Sequence, residues 1–347
     1  MSPPRVFIFR PVDESGASHR QIEAAGCEVV VNRDGATADE VLAQIGQSQV
    51  LLGATFRGGT IDRRLLEASP TLRLVSKYTI GVDDIDLAAA TELGILVTHC
   101  PTEANWGGVA EGTVAFMLAM LKRIRERDRA VKQGAWRSDD LQGHYLGRRE
   151  DGYAGLTVGI VGLGRIGRRL AELLAPWRLR LLGCDPYVDA AQFARRNVER
   201  MDLDTLLAAS DVVTLHCSLT NETRGLIGAR ALALMKGSAL LINTARGPVV
   251  DIDALCDALA ADRLGGAALD VLPVEPPPPG SRILELGDRV LLSPHMVAAN
   301  QGGTLQTAIP WATEAALAAL RGEVPARVYN TEAIPLWRER FADRSLL

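Results

Sequence analysis

The chain has no excess of positive charge, no patterned cysteines and no long apolar run. Each absence removes a class of function. Lys and Arg number 38 against 42 Asp and Glu, a net charge of −4, so no basic surface argues for nucleic acid. The Arg-rich stretch 122–129 carries Glu126 and Asp128 within it and reads as a solvated helix face. The five cysteines, Cys27, Cys100, Cys184, Cys217 and Cys256, lack metal-ligand spacing, and most sit in apolar runs, as buried thiols do. No disulfide framework follows, and a reducing cytoplasm is the expected compartment. No His/Cys/Asp constellation has zinc-site spacing, so no metal is expected. No segment reaches the ~20 apolar residues of a membrane span. The opening MSPPRVFIFRP has too short an apolar run for a signal peptide. What remains is an ordinary globular composition, 47% hydrophobic and 23% charged, in 347 residues. That length is enough for two domains.

Glycine is where the sequence becomes specific. Residues 157–167 read Thr-Val-Gly-Ile-Val-Gly-Leu-Gly-Arg-Ile-Gly. An apolar, strand-like run enters a Gly-x-Gly-x-x-Gly turn, and a helical pattern follows through Arg168, Leu170, Leu173 and Leu174. A second apolar run, 179–184, ends at Asp185. Gly162 permits the tight turn, Gly164 lets the backbone approach a pyrophosphate, and Gly167 lets the helix pack close to the strand. The helix N-terminus offers N–H groups and positive potential to the phosphates. Asp185 can accept hydrogen bonds from a ribose diol. It also repels a 2′-phosphate, and Pro186 and Tyr187 supply no Arg to receive one, so NAD is expected over NADP. The glycine triplet alone is a weak signal. Strand, turn, helix, second strand and terminal Asp in that order form a strong one.

A long segment precedes this turn, and it too alternates strands and helices. Runs at 6–9, 28–31, 50–54, 72–76 and 95–98 read as buried parallel strands, with helical stretches around Gln21 and at 38–45, 63–68 and 87–93. Ala110, Val114, Met117, Leu118 and Leu121 recur at helical spacing and predict one long helix over 108–133. Residues 134–154 are polar and irregular. The later strands of the second series read as 212–216, 239–243, 266–269 and 290–292. The proline-rich run 276–280 can only be loop. A last helix over 304–321 is expected to be interrupted by Pro310.

Three polar residues lie just beyond predicted strand ends of the second series, where open α/β sheets bind ligands. They are Arg246, Glu275 and His295. Arg clamps a carboxylate through paired hydrogen bonds. His exchanges a proton with a carbonyl or hydroxyl oxygen. Glu on the other imidazole nitrogen sets the tautomer and favours the charged form. Taken singly, Glu275 could be mere loop and His295 a strand cap.

Together the motifs resemble the D-isomer-specific 2-hydroxyacid dehydrogenases. INTARGPVVD (242–251), ALDVLPVEP (268–276), SPHMVA (293–298), LHCSLTNETRGLI (215–227), VGIVGLGRIG (158–167) and KYTIGVDDID (77–86) occur in the right order and cover nearly the whole chain. The resemblance implies an α/β protein of two βα domains with the active site in the cleft between them. A Rossmann NAD-binding domain, 104–297, would be inserted in a flavodoxin-like substrate domain, 1–103 and 298–347. It implies an NAD-dependent enzyme interconverting a small D-2-hydroxy acid and its 2-oxo acid. Arg246 would bind the substrate carboxylate, His295 would be the acid and base, and Glu275 its partner. Cofactor contacts would fall on Gly162, Gly164, Arg165, Ile166, Gly167, Asp185, Cys217, Thr244, Ala245, Arg246, Asp270, His295 and Ala298. Substrate contacts would fall on Lys77, Thr79, Ile80, Gly81, Arg246 and His295. A homodimer through the NAD-binding domain is also implied.

Departures bear on the substrate. The loop that often reads Ala-Gly-x-Gly is Tyr78-Thr79-Ile80-Gly81, so Thr79 adds a Cβ. Lys77 adds charge there unless it is a surface lysine. Ser218 stands where Pro is common, and Pro273 where an acidic residue is. Trp106, Trp311 and Tyr145 could wall a pocket, although the tryptophans also fit a core. His216 reads as structural or near the cofactor, and His99 and His144 as incidental. Two alternatives stay open: a dehydrogenase of phosphoglycerate, formate or phosphite on the same scaffold, and an NAD(H)-sensing corepressor-like protein. Relatives that use phosphoglycerate can carry an Arg at the position of Ala54, with Arg57 nearby. The chain also ends too soon for an appended regulatory domain.

Overall fold

The computed structural model describes residues 2–9, 16–33, 35–53, 59–301 and 305–347. The chain divides into two compact units, Met1–Asn105 with Asn300–Leu347, and Trp106–Ala299.

The first unit is built on β1 (Arg5–Ile8), β2 (Glu28–Val31), β3 (Val50–Leu52), β4 (Leu74–Ser76) and β5 (Leu96–Thr98). Their order is β2-β1-β3-β4-β5, with every pairing parallel. This is the flavodoxin-like order, with its switch point between β1 and β3. The strands are short, and β1, β3, β4 and β5 are buried almost throughout because both faces are covered, whereas the edge strand β2 is half-exposed. Successive side chains feed opposite cores. Phe7, Leu51, Val75 and Val97 pack with Val41, Ile45, Leu65 and Leu66 on one side. Val6, Ile8, Leu52, Leu74 and Leu96 pack with Ala312, Ala316 and Trp337 on the other. Helix Ile309–Leu320 can lie close to the sheet because its buried face is mostly alanine. Buried Arg73 donates to the carbonyls of Ala319 and Leu320 at that helix's C-terminus, at 3.0 and 3.2 Å. A cation is favoured there by the helix dipole.

The second unit contains β6 (Thr157–Val161), β7 (Arg180–Cys184), β8 (Val198–Arg200), β9 (Val212–Leu215), β10 (Leu240–Asn243), β11 (Gly266–Leu269) and β12 (Val290–Leu292). The order is β12-β11-β10-β9-β6-β7-β8, again parallel at each pairing. The order reverses between β6 and β9, which makes the carboxyl end of β6 the ligand-binding position.

Three expectations need correction. The helix foreseen over 108–133 is two helices, Glu103–Leu121 and Ile124–Lys132, joined through Arg123 at φ 52°. The break has a tertiary cause. The Leu121 carbonyl accepts from His144 N–H at 2.8 Å, and the chain at Gly143 approaches so closely that a Cβ there would lie 2.5 Å from the same oxygen. Pro310 does not interrupt its helix. It sits in the first turn of Ile309–Leu320, where its missing N–H has no helical partner to lose. Strand β8 was not foreseen, because Glu199 and Arg200 are exposed at a sheet edge and only Val198 is buried. Ala54, Arg57 and Thr304 lie outside the described residues.

Candidate active site

The glycine turn follows β6, and its three glycines differ in what surrounds them. A Cβ on Gly162 (φ 93°) would lie 2.6 Å from Cys217 N, because the backbones following β6 and β9 touch there. A Cβ on Gly167 would lie 2.1 Å from the Gly162 carbonyl oxygen. A Cβ on Gly164 would meet nothing within 4 Å among the described residues. Two glycines are therefore required by the protein's own packing. The third leaves open space at the N-terminus of helix Arg165–Leu174, which no side chain caps. Arg165 is exposed there and Ile166 half-buried. Asp185 directly follows β7 and is fixed by two N–H donors, Leu163 at 2.8 Å on Oδ2 and Tyr187 at 3.0 Å on Oδ1. Open space over uncapped N–H groups, beside a held carboxylate, fits a dinucleotide's pyrophosphate and ribose.

At the end of β10, buried Asn243 shapes the next turn. Its Oδ1 accepts from Ala245 N–H at 3.0 Å, and its Nδ2 donates to the Arg246 carbonyl at 2.9 Å. Thr244 and Ala245 are buried, and Arg246 is half-buried with Nη1 donating to the Ala245 carbonyl at 2.7 Å. No feature of the sequence singles out Asn243 within INTARGPVVD. His216 directly follows β9, with its Nε2 2.8 Å from Thr214 Oγ1 and its Nδ1 3.5 Å from Thr244 Oγ1. Burial lowers its pKa to about 3, so it stays neutral. Burial raises the neighbouring Cys217 thiol to about 11, which removes thiolate chemistry at neutral pH.

His295 and Glu275 meet beyond the ends of β12 and β11. His295 Nδ1 is 2.8 Å from Glu275 Oε2, and Glu275 Oε1 accepts from Leu272 N–H at 2.9 Å. A carboxylate only accepts, so the proton is assigned to Nδ1. Nε2 has no partner among the described residues. The hydrogen bond to Glu275 raises the His295 pKa above its ordinary value, against opposing desolvation. Burial by itself would raise the Glu275 carboxyl, but the hydrogen bonds from His295 and Leu272 bring it below its ordinary range. The charge of Arg246 lowers both groups. His295 adopts φ 55°, uncommon for any residue but glycine. Asp270, only 3% exposed, supports it: its carbonyl accepts from His295 N–H at 2.8 Å, and its Oδ1 accepts from Met296 and Val297 N–H at 2.9 and 3.0 Å. Ala298 follows, half-buried.

In the first unit, the segment after β4 carries Lys77, Thr79, Ile80 and Gly81. Lys77 is not a surface lysine. Its side chain is 3% exposed, with Nζ 2.6 Å from each carboxylate oxygen of Asp84. Thr79 Oγ1 donates to the Gly81 carbonyl at 3.2 Å. The N–H groups of Thr79, Ile80 and Gly81 have no acceptor among the described residues. Three successive open donors make a loop suited to an anion. Trp311 packs half-buried on the first unit's core under the Arg327 guanidinium, 4.2 Å from the ring centroid. Trp106 is half-buried in the second unit and Tyr145 is 51% exposed. Among the described residues, no group of three or more His, Cys, Asp or Glu could hold a metal ion, and no helix is long and apolar enough to cross a membrane.

A parallel sheet with a dinucleotide turn at its switch point, and an imidazole–carboxylate pair at other strand ends, defines a NAD-binding α/β oxidoreductase. The chain belongs to the D-isomer specific 2-hydroxyacid dehydrogenases: residues 114–297 match the model of that family's NAD binding domain. It is 37% identical over 342 residues to a glyoxylate reductase of Thermofilum pendens, covering 96% of each chain. It is 34% identical to a D-3-phosphoglycerate dehydrogenase of Archaeoglobus fulgidus, over 87% of this chain and 54% of that one. The chain thus spans about half the length of that relative. Among solved structures it resembles a D-lactate dehydrogenase of Aquifex aeolicus complexed with NAD and lactic acid, with TM-score 0.77 and 27% identity over 95% and 97% of the two chains.

Proposed function

We propose that the protein reduces a small 2-oxo acid to the D-2-hydroxy acid with NADH, and runs the reverse oxidation with NAD. The observation that carries this reading is the His295–Glu275 hydrogen bond of 2.8 Å, which leaves Nε2 open for proton exchange. When bound, NADH supplies the hydride that the carbonyl carbon receives. His295, as imidazolium, gives its Nε2 proton to the carbonyl oxygen, and in the reverse direction the neutral imidazole takes it back. Glu275 holds Nδ1 and favours the charged form. Arg246 pairs with the substrate carboxylate and offsets the charge that develops on oxygen. In the first unit, the Ile80 and Gly81 N–H groups are the further carboxylate donors, and Thr79 shapes what lies beside them. Lys77 contributes there through Asp84. Gly162, Gly164, Arg165, Ile166, Gly167 and Asp185 hold the adenosine and pyrophosphate side. Cys217, Thr244, Ala245, Asp270 and Ala298 hold the nicotinamide side.

Residues 1–103 and 298–347 are read as the substrate domain and 104–297 as the NAD-binding domain. A cytoplasmic homodimer, formed through the NAD-binding domain, completes the reading. Glyoxylate heads the candidate substrates, because the relative matched over 96% of its length is a glyoxylate reductase. The test is a screen of 2-oxo acids, formate, phosphite and phosphoglycerate, followed by NADH absorbance. Turnover of one or more 2-oxo acids is the expected result. NADH binding without turnover of any of these compounds would overturn it and favour a NAD(H)-sensing protein.

A further inference from the structure

We propose that His99, which reads from the sequence as incidental, is a positioning residue that aims the Gly81 N–H at the substrate carboxylate. This rests on the reading of the loop 79–81 as the carboxylate site. In a trans peptide the C=O of one residue and the N–H of the next lie in one plane and point in opposite directions. Whatever holds a carbonyl therefore aims the following N–H.

Each carbonyl of the loop is held, and by a different group. The Thr79 carbonyl accepts from Cys100 N–H at 3.0 Å, which fixes the Ile80 N–H. The Ile80 carbonyl lies 3.0 Å from His99 Nδ1, which fixes the Gly81 N–H. The Gly81 carbonyl accepts from Thr79 Oγ1 at 3.2 Å. A carbonyl only accepts, so His99 Nδ1 is the donor. Of the two bonds that aim Ile80 and Gly81, one comes from the backbone and persists in any variant. The other depends on a single side chain.

That side chain is itself well placed. His99 directly follows β5, next to the Thr98–Val328 bridge, and its ring meets Tyr329 edge-on with centroids 5.3 Å apart. Tyr329 N–H donates to the Val97 carbonyl at 2.7 Å. The ion pair of buried Lys77 with half-buried Asp84 clamps the base of the same loop. The imidazole thus joins the end of β5 to the loop's half-buried Ile80–Gly81 peptide. Its loss would let the Ile80–Gly81 peptide rotate without removing any group that contacts substrate.

The experiment uses the full chain with His99→Ala, His99→Phe and His99→Asn. Phe keeps a ring against Tyr329 but has no N–H, so it carries the test if Ala does not fold. Asn can place an amide N–H near the Nδ1 position. Losing one donor to a carboxylate should raise KM for the 2-oxo acid about 10-fold or more in His99→Ala and His99→Phe, with little change in kcat. The inhibition constant of oxamate should rise in parallel, because oxamate shares the carboxylate. The dissociation constant of NADH, read by fluorescence, should stay at the wild-type value, and His99→Asn should recover most of the lost KM. A wild-type KM in His99→Phe, or no recovery in His99→Asn, overturns the positioning role. A wild-type protein that neither turns over a 2-oxo acid nor binds oxamate overturns the reading of the loop beneath it.

Discussion

The three glycines of the turn offer a sharp test, because the surroundings of two of them separate folding from ligand binding. Gly164 has a φ of −72°, open to any L-residue, and a Cβ there meets no atom of the described residues within 4 Å. Gly164→Ala should therefore leave the cofactor-free protein within about 0.5 kcal/mol of wild type. Gly167 is the opposite case. Its new Cβ would stand 2.1 Å from the Gly162 carbonyl oxygen, and that oxygen belongs to a turn already pressed against Cys217. Overpacking of this kind costs about 1–3 kcal/mol. At about 2–4 °C per kcal/mol for a unit of this size, Gly167→Ala should melt some 2–12 °C lower. Binding should follow a different order. The added methyl in Gly164→Ala occupies the space assigned to the pyrophosphate, so NADH affinity should fall about 10-fold or more, equivalent to about 1.4 kcal/mol. Thermal melts without cofactor and fluorescence titrations with NADH read the two effects separately. A Gly164→Ala protein that binds NADH like wild type refutes the placement of the pyrophosphate. One that melts several degrees early refutes the claim that the space is open.

Two further substitutions test the chemistry. Glu275→Gln replaces the carboxylate that accepts from His295 with a neutral amide, which weakens the hydrogen bond and removes the charge that raise the His295 pKa, so that pKa must fall. Reduction needs protonated His295, and the alkaline limb of kcat/KM should move to lower pH. Oxidation needs the neutral form, and its acid limb should move the same way. Profiles that stay in place in both directions would separate Glu275 from the proton step. Arg246→Lys keeps a positive charge but loses the planar fork. It should raise KM and lower kcat, with kcat/KM for the 2-oxo acid down by roughly 10²-fold. Steady-state kinetics equal to wild type would remove Arg246 from the mechanism.

The parts of the molecule that could be read from the sequence are those whose signal is local. Parallel strands buried on both faces are continuous apolar runs, so β9, β10 and β11 fall within a residue of where the sequence places them. The break at Arg123 has no such signal, because its cause is a carbonyl captured by His144, outside the helix. The edge strand β8 needs no apolar run and shows none. The same division runs through the candidate site. Arg246, Glu275 and His295 carry chemistry that is costly to place without a purpose, and they stand out at strand ends. The residues that aim them carry ordinary chemistry. Asn243 resembles any turn asparagine until both ends of its amide are seen bonded across residues 245–246. Asp270 was read as a cofactor contact, yet one of its oxygens is engaged by two N–H groups that fix the segment after His295. That segment holds His295 at a left-handed φ, a conformation that costs about 1–3 kcal/mol and persists only where neighbours impose it. The strain and its support are complementary. A histidine in relaxed extended backbone would need no buried aspartate beneath it. Asp270 therefore supports the backbone that carries His295, beside the cofactor contact proposed for it, and no spacing in the sequence could express that support.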